Sequence, residues 1–227
     1  MRLPPYFASV SLLLVACSGN TSPPSSGDRV SGDQGLLDGG AAQSAAASGT
    51  AEPQKPPVGN GTNPAWGAAC APPGASVGFE LGDSLGDLGI KDCDTGAAAT
   101  VDEVCGADAA WIFAAHTHCP TCQATAAFTD DVAKAVSDKN VAVIQLVYDD
   151  NGTSCAEWRA NYALAGISNV RVYADPGGKA FGKLKSSNFT AASAFINANR
   201  VVTHKEHGLT KTKVLSQIEA ALKSNVR

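Results

Sequence analysis

One short stretch restricts the possible fold more than any other part of the chain. The apolar run 109–115 (AAWIFAA) is followed, after three polar residues, by the motif Cys-Pro-Thr-Cys at 119–122. An uninterrupted apolar run of this length is typical of a strand buried on both faces of a sheet. Apolar residues then recur every four positions from Phe128 to Val136, which predicts a helix reaching to about Lys139. The two cysteines are therefore expected where a buried strand gives way to a helix.

The rest of the C-terminal half alternates between strand and helix patterns. We expect further strands at 141–148 and 170–174, a helix between them at 154–165, a hairpin of 193–197 with 201–205, and a last amphipathic helix after Thr210. Strands joined by helices form parallel pairs, whereas the hairpin adds an antiparallel pair, so the central sheet is mixed. The predicted fold class is α/β, a three-layer sandwich with this mixed sheet flanked by helices.

The first 17 residues have the pattern of an export signal. Arg2 supplies the positive charge, and residues 7–16 form a short apolar region. The sequence Leu-Val-Ala-Cys at 14–17 resembles the lipobox of bacterial lipoproteins, and this resemblance implies that Cys17 carries lipid at the mature N-terminus. In that family a Ser after the Cys, here Ser18, favours the outer membrane over the inner one. An ordinary signal peptide followed by an unrelated Cys is the alternative.

Residues 18–65 differ in composition from everything that follows. They contain no Phe, Trp or Tyr and are rich in Gly, Ser, Ala and Pro, so they bury too little apolar area to offset the entropy lost on ordering. We expect a disordered tether here and one folded domain at 66–227. The net charge of −4 and the charged fraction of 17% argue against a nucleic-acid-binding protein and against a polybasic membrane patch, since both need clustered basic residues.

The start of a helix is a position with chemical consequences for the Cys-Pro-Thr-Cys motif. A helix N-terminus offers unpaired N–H groups and a partial positive charge, which stabilise a thiolate, and the thiolate is the nucleophilic form of cysteine. We expect Cys119 to be the exposed N-cap with a lowered pKa, Pro120 to occupy the first helical position, and Cys122 to be the more buried, resolving thiol. His116 and His118 add positive character near Cys119.

Together these features resemble the thioredoxin fold, and in particular the TlpA/ResA-type thioredoxin-like lipoproteins of bacteria. The segment beginning at Val77 (VGFELGDSLGDLGIKDCDTG) is similar to the entry segment of that family, and AFINANRVVTHKEHG at 194–208 is similar to its last hairpin. The resemblance covers about residues 75–224. It implies a thiol–disulfide oxidoreductase outside the cytoplasm and favours the reducing direction, whereas a Pro after the first Cys favours oxidation.

The chain departs from that family at three positions around the motif. His118 stands where a Trp usually precedes the first Cys, Phe113 stands where a buried acid is common, and a gapless alignment places Ala191 where the family has a cis-Pro. An Ala at this position can still adopt an extended trans path, but it changes how a substrate docks. A peroxiredoxin-type site is disfavoured, because His116 stands where that class has Thr or Ser. These departures support one alternative to the enzyme, a non-catalytic interaction domain.

Four further cysteines of the domain allow three disulfide pairings. Cys93 and Cys105 flank a short loop before the first long strand, and we predict that they form a structural disulfide. Cys70 and Cys155 then pair with each other by elimination, or remain free.

Histidines near the motif suggest another alternative, a copper or zinc site. Its ligands would be His116, His118, Cys119 and Cys122. Two more histidines, His204 and His207, are expected near the end of the last strand, on the motif's side of the sheet and about 10 Å away. Solvated surface histidines are the simpler interpretation.

The main prediction is a membrane-tethered thiol–disulfide oxidoreductase of the bacterial cell envelope. Cys119 attacks a disulfide of a partner protein, and Cys122 resolves the mixed disulfide. This chemistry calls for no cofactor, and we expect a monomer that acts on protein thiols or disulfides.

Overall fold

The computed structural model describes residues 59–70, 72–149, 154–186 and 190–225. The predicted signal peptide, the lipidated Cys17 and most of the predicted tether lie outside these residues. In the described part of the chain, no helix combines the length and the apolarity needed to cross a bilayer.

The secondary structure of the described residues follows the predicted alternation. The strands are β1 Val77–Gly78, β2 Ser84–Leu85, β3 Ile90–Asp92, β4 Ala98–Ala99, β5 Ala109–His116, β6 Val141–Tyr148, β7 Val170–Ala174, β8 Ala192–Asn197 and β9 Val202–His207. The α-helices are α1 Pro120–Ala126, α2 Thr129–Ala135, α3 Cys155–Asn161, α4 Lys179–Leu184 and α5 Lys211–Lys223. Two 3-10 turns lie at Val101–Val104 and Pro176–Gly178.

Seven of these strands form one mixed sheet in the order β4-β3-β7-β6-β5-β8-β9. The strands β5, β6 and β7 run parallel to one another, whereas β8 is antiparallel to β5 and β9 is antiparallel to β8. The register sets Trp111 of β5 between Val143 of β6 and Phe195 of β8. The carboxyl ends of β5 and β9 therefore meet at one edge of the sheet, beside the start of β8.

The sheet separates two apolar clusters, because successive residues of a strand point to opposite faces. Trp111 and Phe113 face the cluster that α2, α3 and α5 cover, and Ile112 faces the cluster covered by α4 and the chain before β5. All three side chains are fully buried, and each contributes about 1.5–3 kcal/mol relative to an exposed position. Helices on both faces of a mixed sheet confirm the predicted three-layer α/β fold.

The helix predicted to run from the motif to about Lys139 is two helices, α1 and α2. The hydroxyls of Thr125 and Thr129 donate to the carbonyls four residues earlier, a contact that bends helices. Between the helices Phe128 has φ −111° and ψ 8°, and its ring stacks on Trp111 with 6.4 Å between the ring centroids. At this break the Phe128 ring, which follows α1, packs against β5, the strand that precedes the motif.

The folded domain begins before Trp66, which corrects the predicted boundary. The Asn60 amide accepts the N–H of Val172 at 2.7 Å and donates to the carbonyl of the same residue at 3.2 Å. Trp66 itself is buried, and its indole N–H donates to the Asn140 side chain at 2.9 Å. Polar contacts of this kind leave no apolar pattern, so composition placed the boundary too late.

Both structural disulfides differ from the predicted pairing. The structure joins Cys70 to Cys105 and Cys93 to Cys155, with Cα–Cα distances of 5.0 and 5.5 Å, so the predicted Cys93–Cys105 pair is wrong. Cys93 lies in the turn after β3, and the pairing of β3 with β7 brings this turn to the start of α3. The carbonyl of Cys105 accepts the N–H of Gly67 at 3.0 Å, which holds it beside the segment of Cys70. The short sequence separation of Cys93 and Cys105 was misleading, because β3 pairs with β7 in the sheet and the turn after it takes Cys93 to Cys155.

Candidate active site

The turn after β5 places the two motif cysteines at the carboxyl edge of the parallel strands. The N–H of Cys119 donates to the carbonyl of His116, the last residue of β5, at 3.1 Å. Cys119 is the N-cap of α1 and Pro120 lies in the first turn, as the sequence predicts. The N–H of Cys122 donates to the Cys119 sulfur at 3.1 Å. The first turn of the helix thus directs an N–H group at the sulfur of its own cap.

The two thiols differ in their access to solvent. Both are free, but Cys119 is 7% exposed whereas Cys122 is 0% exposed. Cys119 is therefore less exposed than the sequence predicts. His118 and Pro120, its neighbours in the chain, are exposed, as is Thr190, so a partner that reaches Cys119 meets these residues first.

The segment before β8, which the sequence did not identify, completes the surroundings of the dithiol. The Thr190 hydroxyl lies 2.9 Å from the Cys119 sulfur and can donate to it when the sulfur is a thiolate. The backbone N–H of Ala191 lowers the pKa of the Cys122 thiol, against the larger opposing effect of burial. Ala191 has φ +62°, so it does not adopt the extended path that is open to an alanine. The gapless alignment marked this position, but no sequence pattern reports its hydrogen bonds.

Opposite pKa shifts separate the roles that the two sulfurs can take. Burial raises the pKa of Cys119, but hydrogen bonds from the Cys122 thiol, the Thr190 hydroxyl, and the N–H groups of Cys122 and Thr121 outweigh it, and the pKa lies below its usual value. Burial, followed by the hydrogen bond and the charge of Cys119, raises the pKa of Cys122 to about 12. Cys119 therefore ionises first, and the thiolate is the reactive form.

The two histidines of the turn contact each other and the neighbouring strand. The backbone N–H of His118 donates to Nδ1 of His116 at 3.2 Å. The His116 ring packs edge-on against Tyr148, with 4.9 Å between the ring centroids, and the His116 N–H lies 3.5 Å from the Cys122 sulfur. Support of the Cys119 thiolate by the exposed His118 ring stays a prediction.

The alternative metal site at the motif has no support in the described residues. Among them, the single group of three His, Cys, Asp or Glu side chains with ligand atoms within 4.8 Å of one another is Cys70, Asp102 and Cys105. The two sulfurs of that group are joined in a disulfide, so they offer no thiolate to a metal ion.

Comparison with known sequences places the chain in a family. The Redoxin family model matches residues 80–222, a range that covers more than half of the chain and contains both motif cysteines. The chain belongs to the Redoxin family. This membership agrees with the predicted resemblance to thioredoxin-like proteins and supports the expectation of a thiol–disulfide oxidoreductase. No curated protein matches the chain.

Solved structures of this fold align with most of the domain. A thiol:disulfide interchange protein from Bacteroides sp. superposes with a TM-score of 0.50 at 11% identity, covering 64% of this chain and 91% of that chain. A hypothetical protein from Sinorhizobium meliloti has a TM-score of 0.50 at 16% identity, covering 64% and 85%. The exposed lipoprotein thioredoxin of Streptococcus pneumoniae has a TM-score of 0.45 at 22% identity, covering 59% and 98%. The likeness to the first of these agrees with the thioredoxin-like fold.

Proposed function

We propose that this Redoxin-family protein is a thiol–disulfide oxidoreductase in which Cys119 is the nucleophile and Cys122 is the resolving thiol. The observation that carries the proposal is the asymmetry of the pair. The Cys119 sulfur accepts the Cys122 N–H at 3.1 Å and lies 2.9 Å from the Thr190 hydroxyl, whereas Cys122 is fully buried. Hydrogen bonds to a thiolate favour the charged form, and burial disfavours it.

The reaction proceeds by two exchanges of sulfur partners. The Cys119 thiolate attacks one sulfur of a protein disulfide, so that a Cys119–substrate bond forms and the other substrate sulfur leaves as a thiolate. Cys122 then attacks the Cys119 sulfur, which forms the Cys119–Cys122 disulfide and releases the second substrate sulfur. The Cys122 proton passes to a released sulfur, and two electrons move from the motif to the substrate. An external dithiol returns the motif to its reduced state.

The same atoms run the reaction in either direction. A motif that begins as a disulfide accepts a substrate thiolate at Cys119 and leaves the substrate oxidised. Which direction prevails depends on the reduction potential of the motif against that of its partner. Stabilisation of the Cys119 thiolate favours the reduced motif, and it therefore raises the potential toward the oxidising side.

We further propose that the domain acts outside the cytoplasm on a lipid tether at Cys17. The lipobox-like sequence at 14–17 supports the anchor. The two disulfides outside the motif, Cys70–Cys105 and Cys93–Cys155, support an oxidising compartment, since such bonds rarely persist in the cytoplasm. Replacing Cys17→Ser should move the protein from the membrane fraction to the soluble fraction. Unchanged membrane association of that variant would contradict the anchor.

Turnover of a disulfide substrate tests the catalytic proposal. The substrate is a fluorescent disulfide-linked peptide pair, with dithiothreitol as the external reductant. The wild-type protein should accelerate its reduction, and Cys119→Ser should abolish the acceleration. In a separate reaction without dithiothreitol, pre-reduced Cys122→Ser should cleave one substrate disulfide per molecule and then stall, because nothing releases the mixed disulfide. Equal rates with wild type and with Cys119→Ser would refute the proposal and favour a non-catalytic interaction domain.

A further inference from the structure

A histidine that the proposed reaction does not use lies beside the segment that contacts the dithiol. His207 is the last residue of β9, is half-buried, and pairs with Ala192 across the hairpin. Its Nε2 accepts the backbone N–H of Ser186 at 3.0 Å, and its Nδ1 lies 3.4 Å from the carbonyl oxygen of Thr190. The ring thus joins two parts of the chain that lie close together in sequence.

The two partners of the ring determine its hydrogen-bonding pattern. The Ser186 N–H only donates, and the Thr190 carbonyl only accepts. A neutral imidazole with its proton on Nδ1 satisfies both, because Nε2 then accepts and Nδ1 donates. The next residue acts on the same segment, since the N–H of Gly208 donates to the carbonyl of Ala191 at 3.2 Å. His207 and Gly208 therefore hold two consecutive carbonyls, those of Thr190 and Ala191.

The segment held in this way has a backbone that does not persist by itself. Ala191 has φ +62°, which is unfavourable for any residue with a Cβ atom. Such conformations are kept only where the surrounding structure imposes them, and they concentrate at functional sites. This backbone directly follows Thr190, whose hydroxyl stands beside the Cys119 sulfur.

We propose that His207 is a positioning residue that keeps the Thr190 hydroxyl against the Cys119 sulfur. The inference rests on the proposed function and deepens it, because it assigns control of the reactive thiol to a residue on the far strand of the hairpin. His207 acts through Thr190. When the ring is removed, the Thr190 hydroxyl loses its fixed position, and the Cys119 thiolate loses one of the donors that stabilise it.

The same strand offers a matched control. His204 also lies on β9, but its Nε2 pairs with the Glu206 carboxylate at 3.0 Å, and its ring lies against Phe195, with 5.9 Å between the ring centroids. Replacing His204→Ala therefore removes an imidazole from the same strand while the contacts of Ser186 and Thr190 stay in place.

Alkylation of the reduced protein against pH tests the inference. Iodoacetamide rates at Cys119 are read by peptide mass in full-length wild type, His207→Ala, His207→Asn, His207→Gln and His204→Ala. His207→Ala should raise the apparent pKa of Cys119 by about one unit, which slows alkylation about tenfold at pH values below both pKa values. His207→Asn should restore most of the rate, because its amide nitrogen stands at the position of Nδ1. His204→Ala should match wild type.

Each outcome separates this inference from the proposed function. An unchanged Cys119 profile in His207→Ala, with a lowered pKa in wild type, overturns the positioning role and leaves the dithiol chemistry standing. An ordinary thiol pKa for Cys119 in wild type overturns both. If His207→Ala does not fold, the comparison of His207→Gln with His207→Asn decides. The Gln amide lies one bond further out than the Asn amide, so the alkylation profiles of Cys119 in these two variants should differ. Equal profiles of those two variants also refute the inference.

Discussion

The family that this chain resembles has a proline at the position of Ala191. We expect the substitution Ala191→Pro to destabilise this protein. Proline holds φ near −65°, whereas Ala191 has φ +62°. Proline also lacks the backbone N–H that lowers the pKa of the Cys122 thiol. The incompatible backbone costs more than about 1 kcal/mol. The expected loss in the free energy of unfolding is therefore more than about 1 kcal/mol.

Ala191→Gly is the matched control for the same position. Glycine removes about 1–2 kcal/mol of strain at positive φ. It also gives up about 0.8 kcal/mol from a methyl group that is 1% exposed, and about 0.5–1 kcal/mol of backbone entropy. These contributions nearly cancel, so the glycine variant should lie within about 1 kcal/mol of wild type.

Thermal unfolding of the three proteins, followed by circular dichroism with the motif reduced, measures the difference. A domain of this size loses about 2–4 °C in Tm for each kcal/mol, so Ala191→Pro should unfold more than about 2–4 °C below wild type, and Ala191→Gly should stay close to it. A proline variant as stable as wild type would refute the left-handed backbone at Ala191.

Three further predictions concern the thiols. In the reduced protein Cys119 should be alkylated before Cys122, and its rate should fall only as the pH drops through a pKa that lies below that of an ordinary thiol; faster labelling of Cys122 would contradict this. Thr190→Val should raise the pKa of Cys119 by about one unit, because the thiolate loses a hydrogen bond, whereas Thr190→Ser keeps the hydroxyl and should leave the pKa unchanged. Equal alkylation profiles of these two variants would refute the contact between Thr190 and Cys119. Cys70→Ala and Cys93→Ala should each lower the free energy of unfolding by about 4 kcal/mol, the value that the chain-entropy treatment gives for disulfides spanning 35 and 62 residues. Denaturant titration measures the loss. Peptide mass mapping identifies the thiol left unpaired in each variant, which should be Cys105 and Cys155 respectively.

Apolar patterning predicted the frame of the fold. The strands expected at 141–148 and 170–174 have the observed bounds, because short runs rich in apolar and β-branched residues and bounded by turn residues favour strands. Thr210 caps the last helix as expected, since a side-chain hydroxyl before an amphipathic run has a local partner. Each of these features depends on residues within a few positions of one another.

Features that depend on distant residues were missed. The break at Phe128 follows from the position of Trp111 on a strand, and no local pattern near Phe128 reports it. Gln145, inside an apolar strand, accepts the Trp158 indole N–H and donates to the Thr129 hydroxyl, both at 2.6 Å, and the apolar pattern of the strand gives no reason for this polar residue. The disulfide partners likewise depend on where β3 enters the sheet.

The candidate site also combines features that local sequence predicted with features that depend on distant residues. The motif predicted the cap at Cys119 and the buried position of Cys122, because both follow from three residues of helix geometry. The contributions of Thr190, Ala191 and His207 come from segments about 70 to 90 positions away and meet the motif only through the β5–β8–β9 register. A single sequence holds no signal for such a meeting beyond the expectation that His207 lies on the motif's side of the sheet.

Trapping of the mixed disulfide tests the central claim most directly. Reduced Cys122→Ser and Cys119→Ser variants are mixed with a disulfide-linked peptide pair, quenched in acid, and mapped by mass under non-reducing conditions. Cys122→Ser should carry one peptide, bonded to Cys119, within the first time points, and Cys119→Ser should carry almost none. Trapping mainly at Cys122, or no trapping in either variant, would contradict the assignment of Cys119 as the nucleophile.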